Sequence, residues 1–239
     1  MNPQQILAAT AEGYAACASY RDAGRVVTRF VSPGGRTRTS VKPFATAFVR
    51  PSRFRFEYRE RFGDADEWDR YLVWAGGGHV RTWWTVRPGV EESASLGSAL
   101  AAATGVSGGA SRTVPALLMP GAVSGRLVDL GEITWLGDAD LGGVACYRLG
   151  GRIAPARVDL TRDERHSEEV RRLTGRPLER AERSPLTVWI DRGTLLVRRI
   201  EEDVRFETFR TECVTEYEPQ AGVAVRDGEL AFDPPGGVD

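Results

Sequence analysis

The chain has 239 residues, a formal net charge of −1 and 41% hydrophobic residues. This composition is typical of a soluble globular protein, and the lack of a basic excess disfavours nucleic-acid binding. A chain this long buries roughly 70% of its unfolded surface, so it needs no metal or disulfide to fold. No repeat or linker divides the sequence, so we expect a single domain over residues 1–239. No apolar run approaches the ~18 residues of a transmembrane helix, and no secretion signal follows Met1. We therefore expect a cytoplasmic protein, or one whose export signal has been removed.

Three cysteines are present: Cys17, Cys146 and Cys213. An odd number argues against a complete disulfide framework. Two alternatives stay open, namely a Cys146–Cys213 pair and three buried thiols that act as small apolar residues. Because the chain contains no C-x-x-C motif or Cys/His cluster, we do not expect a zinc site.

The first segment predicts a helix. Asn2 can cap it, Pro3 suits its first position, and Gln5 completes a capping-box pattern. We expect it to end within Asp22–Gly24. Helical spacing places several of its residues on one face: Ile6, Thr10, Tyr14 and Cys17.

From residue 24 to 86 the hydrophobic period changes to two, which predicts strands. In Arg53–Arg59 aromatic and charged residues alternate, as in a half-buried antiparallel strand. Pro43 predicts an edge or a bulge, and Gly76–Gly78 a hairpin turn. The expected strands are 24–31, 39–50, 53–59, 71–75 and 80–86.

The middle of the chain predicts a helical insertion at about residues 93–121. Ser95 can cap a helix that closes at Gly105, and Thr113 can cap a short apolar one over Val114–Met119. A charged stretch, Ala154–Ser184, predicts an exposed loop. The remaining expected strands are 126–136, 144–153, 186–191, 195–202 and 204–217.

A sheet with one aromatic face must cover that face. We therefore predict a mostly β (α+β) fold, with a curved antiparallel sheet wrapped around the helices. The spacing leaves open whether the interior is solid or hollow.

Three stretches resemble the LolA/LppX-like family of bacterial lipoprotein carriers. They are the R-P-x-x-F pattern in Val49–Phe56, the hairpin over Tyr71–Trp84, and the closing F-x-P-P-x-G-V pattern in Leu230–Val238. The resemblance follows the element order over nearly the whole chain.

The resemblance implies an unclosed half-barrel around the N-terminal helix and a helical lid, with an apolar cavity for a lipid or acylated ligand. It implies that Arg50 latches the lid and that Phe54 lines the cavity. A transport role in the periplasm or cell envelope, with at most peripheral membrane contact, would follow. We expect a monomer without cofactor or metal.

The ligand-binding candidates are apolar side chains, because ligand pockets are mostly apolar, and Met adapts to varied ligands. Simple core packing is the alternative for each aromatic, including Trp83. The candidates are Phe54, Phe56, Tyr58, Trp74, Trp84, Leu117, Leu118 and Met119.

The sequence offers little for catalysis or metal binding. The acidic stretches Asp64–Asp69 and Asp138–Asp140 lack a complete calcium loop. His79 and His166 are expected at the surface, and no catalytic residue is predicted. An interaction or envelope-sensor module, binding a protein through the charged loop, remains an alternative. A hydrolytic enzyme is a weaker one.

Overall fold

The fold is described from a computed structural model of the chain, for residues 1–61, 67–104, 107–123, 127, 130–153 and 182–234. Several sequence predictions therefore lie outside the described residues. These are the helix end at Gly105, most of the charged stretch including His166, most of the acidic loop, and the last residues of the closing motif.

The N-terminal helix, α1, spans Pro3–Ala16 and begins as predicted. The Asn2 side chain accepts from the Gln5 backbone N–H, and the Gln5 side chain accepts from the Asn2 N–H, both at 2.9 Å. The predicted end is wrong, because Asp22 and Gly24 already belong to the first strand. A Cβ at Gly24 would lie 2.4 Å from the Phe44 ring, so this glycine lets the ring pack over the strand.

The described residues form one 13-stranded sheet with the path β6-β5-β4-β3-β2-β1-β12-β11-β10-β8-β7. β13 pairs with β1, and β9 pairs with β11. The strands are β1 Ser19–Val31, β2 Thr37–Val49, β3 Arg53–Glu60, β4 Asp69–Gly76, β5 His79–Trp84, β6 Arg87–Glu92, β7 Leu130–Leu141, β8 Val144–Ile153, β9 Glu182–Arg183, β10 Leu186–Asp191, β11 Val197–Arg205, β12 Arg210–Tyr217 and β13 Gln220–Ala221. The adjacent pairs are antiparallel, and β6 and β7 remain as edges. The predicted mostly β half-barrel is confirmed.

Several strand boundaries differ from the predicted ones. β6 was not predicted, and the expected turn at Asp138–Asp140 lies inside β7, which continues to the true turn at Gly142–Gly143. β11 runs to Arg205, so the break falls at residues 206–209 instead of 203. These errors share a cause, since isolated polar residues resemble turns when their cross-strand partners are unknown.

Pro43 lies in a central strand, yet at a local edge. β2 pairs with β1 along its whole length, whereas its pairing with β3 begins at Phe44 opposite Tyr58. Pro43 therefore lies just beyond the β3 ladder, where a missing N–H is tolerated.

Helices cover one face of the sheet, and charged side chains line the other. Opposed residues of paired strands share a face, so Phe54 lies with Ala75, and Phe56 with Thr46 and Val73. This inner face is covered by the helices, whose buried residues join the same apolar core. The outer face carries Arg55, Glu57 and their neighbours.

Two short helices cover the inner face beside α1. α2 spans Leu96–Ala102 and is capped by the Ser95 side chain as predicted, while α3 spans Val114–Leu118. The predicted cap at Thr113 is wrong, because its hydroxyl donates to the Gly109 carbonyl at 3.0 Å instead. No helix in the described part is long and apolar enough to span a membrane.

The cysteines remain thiols. Cys146 lies in β8 and Cys213 in β12, with β10 and β11 between them. Three strand spacings amount to about 14 Å, well beyond the reach of a disulfide. The structure therefore excludes the Cys146–Cys213 pair, and of the three predicted buried thiols only Cys146 is fully buried, while Cys17 and Cys213 are partly buried.

Candidate functional site

The inner face of β3 to β5 carries a row of aromatic rings. Phe54 and Phe56 have no exposed surface, and Tyr58 is 2% exposed. Tyr58 stacks on Tyr71 with centroids 5.4 Å apart, and Trp84 meets Tyr71 edge-on at 6.1 Å. Alternation of β3 places the first three rings on one face, and Trp84 extends the row to the next hairpin. Four of the five predicted aromatic candidates therefore lie together.

Trp74 does not belong to this row. It pairs with Arg55 and Arg81, which places it on the outer face, on the opposite side from Phe54. There its indole N–H donates to the Leu230 carbonyl at 2.7 Å, and its ring meets Phe232 at 5.8 Å. We correct its predicted role from lining the interior to holding the C-terminal segment. Trp83, opposite Leu72, also lies on the outer face.

The lid candidates form the inward end of the helical insertion. Leu118 is fully buried, Leu117 is 2% exposed and Met119 is 9% exposed. α3 packs on α1, and both contribute to the core that contains Phe54 and Phe56. These side chains are therefore part of the buried apolar core that also contains the aromatic row.

Arg50 binds both helices at once. Its Nε donates to the Cys17 carbonyl at 2.8 Å, and its Nη2 to the carbonyls of Tyr14 and Ala15. The same Nη2 donates to the Leu118 carbonyl at 3.0 Å. One guanidinium therefore ties the C-terminus of α1 to the C-terminus of α3.

Elementary electrostatics explain why an arginine occupies this position. The last carbonyls of a helix lack partners within the helix and carry partial negative charge. A planar cation with several N–H donors can satisfy carbonyls of two helices together. The guanidinium also lies 5.3 Å from the Phe48 ring centroid, which holds it against the sheet.

A buried carboxylate that the sequence did not single out lies on the inner face, that of Asp22. Asp22 is 6% exposed and accepts from the Tyr20 hydroxyl at 2.7 Å and the Thr46 N–H at 3.0 Å. Burial raises the pKa of Asp22 to about 6, against the opposing effect of these hydrogen bonds. Asp22 lies two residues after Tyr20 in β1, so both side chains point to the inner face. The sequence could have indicated this only if the extent of β1 had been known.

Two buried hydroxyls near the core have no hydrogen-bond partner among the described residues, namely those of Thr10 and Tyr58. Burial, followed by the charge of Glu60, raises the pKa of Tyr58. Both hydroxyls are neutral donors, so a ligand in this interior would meet polar groups at a few points of an apolar wall.

Among the described residues, the histidine and acidic candidates are not brought together. His79 lies 3.6 Å from Glu92 on an exposed hairpin, with both side chains more than half exposed. Within the described ranges no group of His, Cys, Asp and Glu is arranged to hold a metal.

No family model and no curated protein matches the chain. Among solved structures it is similar to the Mycobacterium tuberculosis lipoprotein LppX, with 11% identity, 93% of this chain and 98% of that chain covered, and a TM-score of 0.42. It is also similar to a LolA superfamily protein from Nitrosomonas europaea, with 9% identity, 97% and 98% coverage, and a TM-score of 0.34. A structure of MucB in complex with MucA(peri) matches at 11% identity and TM-score 0.43, over 97% of this chain and 60% of MucB.

Proposed function

We propose that the protein binds an apolar, lipid-like ligand between the aromatic inner face and the α3 lid. The observation that carries this proposal is the arrangement around Arg50. The C-terminal carbonyls of α3 need a donor from outside the helix. Here the donor is the Arg50 side chain, which also binds α1, so that its hydrogen bond to the Leu118 carbonyl at 3.0 Å joins the two helices.

The tie is strong enough to close the lid and weak enough to be released. Hydrogen bonds to charged groups contribute about 1.5–3 kcal/mol each, and the lid helix has only five residues, Val114–Leu118. An acyl chain that reached Phe54 and Phe56 after release of α3 would replace core contacts of these rings with its own apolar contacts. Binding would therefore exchange one apolar cover for another.

The test is a titration of delipidated protein with a fluorescent long-chain fatty acid, together with native mass spectrometry of freshly purified protein. We expect a co-purifying amphiphile and saturable binding. Arg50→Gln should change the affinity by about tenfold, since it removes the tie between lid and helix. Arg53→Gln, an exposed arginine three residues further, is the matched control and should bind as the wild type does.

Absence of binding to any amphiphile would contradict the proposal. Equal effects of Arg50→Gln and Arg53→Gln would contradict the role of Arg50 alone. In accordance with the sequence resemblance, we propose that the protein acts in the bacterial cell envelope, passing its ligand to a partner without catalysing a reaction. Fractionation of cells that express the natural gene tests this location.

A further inference from the structure

A pocket lies on the outer face of the sheet. It measures about 430 Å³ and is open to solvent. Arg55, Arg59 and Arg70 line it together with Glu57 and Asp233, and Trp68 forms its edge. The first two arginines alternate outward from β3, and Arg70 follows on β4.

The arginines outnumber the carboxylates. Glu57 receives ion pairs from Arg59 at 2.7 Å and from Arg70 at 2.9 Å, and a third from Arg55. Burial would raise the pKa of Glu57, but the hydrogen bonds of Arg70 and Arg59, with the charge of Arg55, hold it below its usual range. Both carboxylates are therefore ionised at neutral pH, and three cations face two anions.

The excess positive charge destabilises the folded state through repulsion between like charges and through buried donors without partners. Arg59 and Arg70 are direct cross-strand partners, and like charges in that position repel. The Nε groups of Arg55 and Arg70 are buried and have no hydrogen-bond partner in the part of the chain that the structure describes. An unsatisfied buried donor costs about 1–3 kcal/mol, so each such group calls for an explanation.

An internal anion already occupies part of this pocket. The Asp233 carboxylate lies 2.7 Å from Arg70 and 3.1 Å from Arg55, yet its side chain remains 56% exposed. It belongs to the C-terminal segment that crosses the outer face beside Trp74, outside any helix or strand. An exposed carboxylate on such a segment can be replaced by an anion from solution.

We propose that this pocket binds a phosphate group, with the ligand taking the position of the Asp233 carboxylate. Once Asp233 leaves, three arginines face only Glu57, and the net charge of two matches a phosphate dianion. Planar guanidinium groups bind phosphate oxygens in pairs. Trp68, 41% exposed at the rim, offers an apolar surface to the rest of the ligand.

Calorimetric titration of the full chain tests the proposal with three probes: inorganic phosphate, glycerol 3-phosphate, and phosphatidic acid vesicles compared with phosphatidylcholine vesicles. Arg59→Gln should weaken binding by about tenfold or more, the loss of one charge-assisted contact. Arg59 is suited to this test because its side chain is 57% exposed and its described ion pair is with Glu57 alone. Arg53→Gln is the control, because Arg53 shares the outward row but pairs with Asp227 outside the pocket.

Asp233→Asn should change the phosphate affinity in the direction opposite to that of Arg59→Gln. Removal of the internal competitor should strengthen phosphate binding several-fold, whereas a network with only a structural role would show no gain. Binding of soluble probes that depends on Arg59 supports a soluble phosphate ester as ligand. Arg59-dependent binding to phosphatidic acid vesicles alone supports a lipid headgroup. No binding of any probe, equal losses in Arg59→Gln and Arg53→Gln, or weaker binding in Asp233→Asn would overturn the proposal. None of these outcomes depends on ligand binding under the lid.

Discussion

The inner and outer faces of β3 are made by alternate residues of one strand, yet they are stabilised in different ways. Phe54 and Phe56 point inward and are fully buried by helices. Arg55 and Glu57 point outward and are held by ion pairs and by the C-terminal segment. Apolar burial contributes in proportion to area and is insensitive to salt, whereas partly exposed ion pairs contribute little net free energy. The contrast predicts that substitutions on the inner face lower the free energy of unfolding strongly and that substitutions on the outer face lower it little.

The largest effect is expected for Phe56→Ala. Removal of a fully buried ring leaves a cavity in the core and should lower the free energy of unfolding by about 4 kcal/mol. Urea denaturation measures this loss. Arg59→Ala on the same strand is the outward control, and a comparable loss there would break the contrast between the faces.

The next effect concerns the buried carboxylate. The pKa of Asp22 is raised to about 6, so the folded state holds a proton that the unfolded state has released. The contribution of Asp22 to the free energy of unfolding is therefore greatest below about pH 4. It falls as the pH rises toward about 6, and above that it stays constant at its lowest value.

Asp22→Asn removes this titration. Relative to wild type, the variant should gain stability between about pH 4 and about pH 7, by an amount on the order of 3 kcal/mol. Denaturation curves of both proteins at several pH values measure the difference, in which contributions of other titrating groups cancel. A difference that stays constant with pH would show that Asp22 is solvated and that the interior is open to water.

Trp74→Phe tests the bond between the outer face and the C-terminal segment. The ring contact with Phe232 is retained while the hydrogen bond to the Leu230 carbonyl is lost. We expect a loss of about 1 kcal/mol in the free energy of unfolding, and faster proteolysis near the C-terminus. If proteolysis is unchanged, other contacts hold this segment.

The smallest effect is expected for Asp233→Asn. The pKa of Asp233 is lowered because the hydrogen bond from Arg70 and the charges of Arg55 and Arg70 outweigh its desolvation. Since the side chain is more than half exposed, the loss of stability at neutral pH should be below about 1 kcal/mol and should shrink further in high salt. A loss as large as that of Phe56→Ala would mean that the outer ion-pair network stabilises the fold as strongly as the apolar core does.

The sequence predicted the inner row better than the outer face, for a physical reason. Alternation within β3 places Phe54, Phe56 and Tyr58 together without knowledge of any other strand. Trp74 was misplaced because its face depends on the register of β4 against β3, across a loop. The local sequence pattern does not indicate that the C-terminal segment covers part of the outer face. The hydrogen-bond partner of Trp74 is Leu230, 156 residues further along the chain. Asp22 was missed for a related reason, because polar residues near a predicted helix end resemble a turn.

The most direct test of the proposed lid is hydrogen exchange of the amides in residues 114–119, compared between wild type, Arg50→Gln and Arg53→Gln. Loss of the bond from Arg50 to the Leu118 carbonyl should open α3 more often, so exchange should be about tenfold faster in Arg50→Gln and unchanged in Arg53→Gln. Addition of a long-chain fatty acid should change exchange in this segment and leave the central strands β1 and β2 protected. If Arg50→Gln leaves the exchange of α3 unchanged, or accelerates exchange in β1 and β2 equally, α3 is part of a permanent core and the account of a releasable lid is wrong.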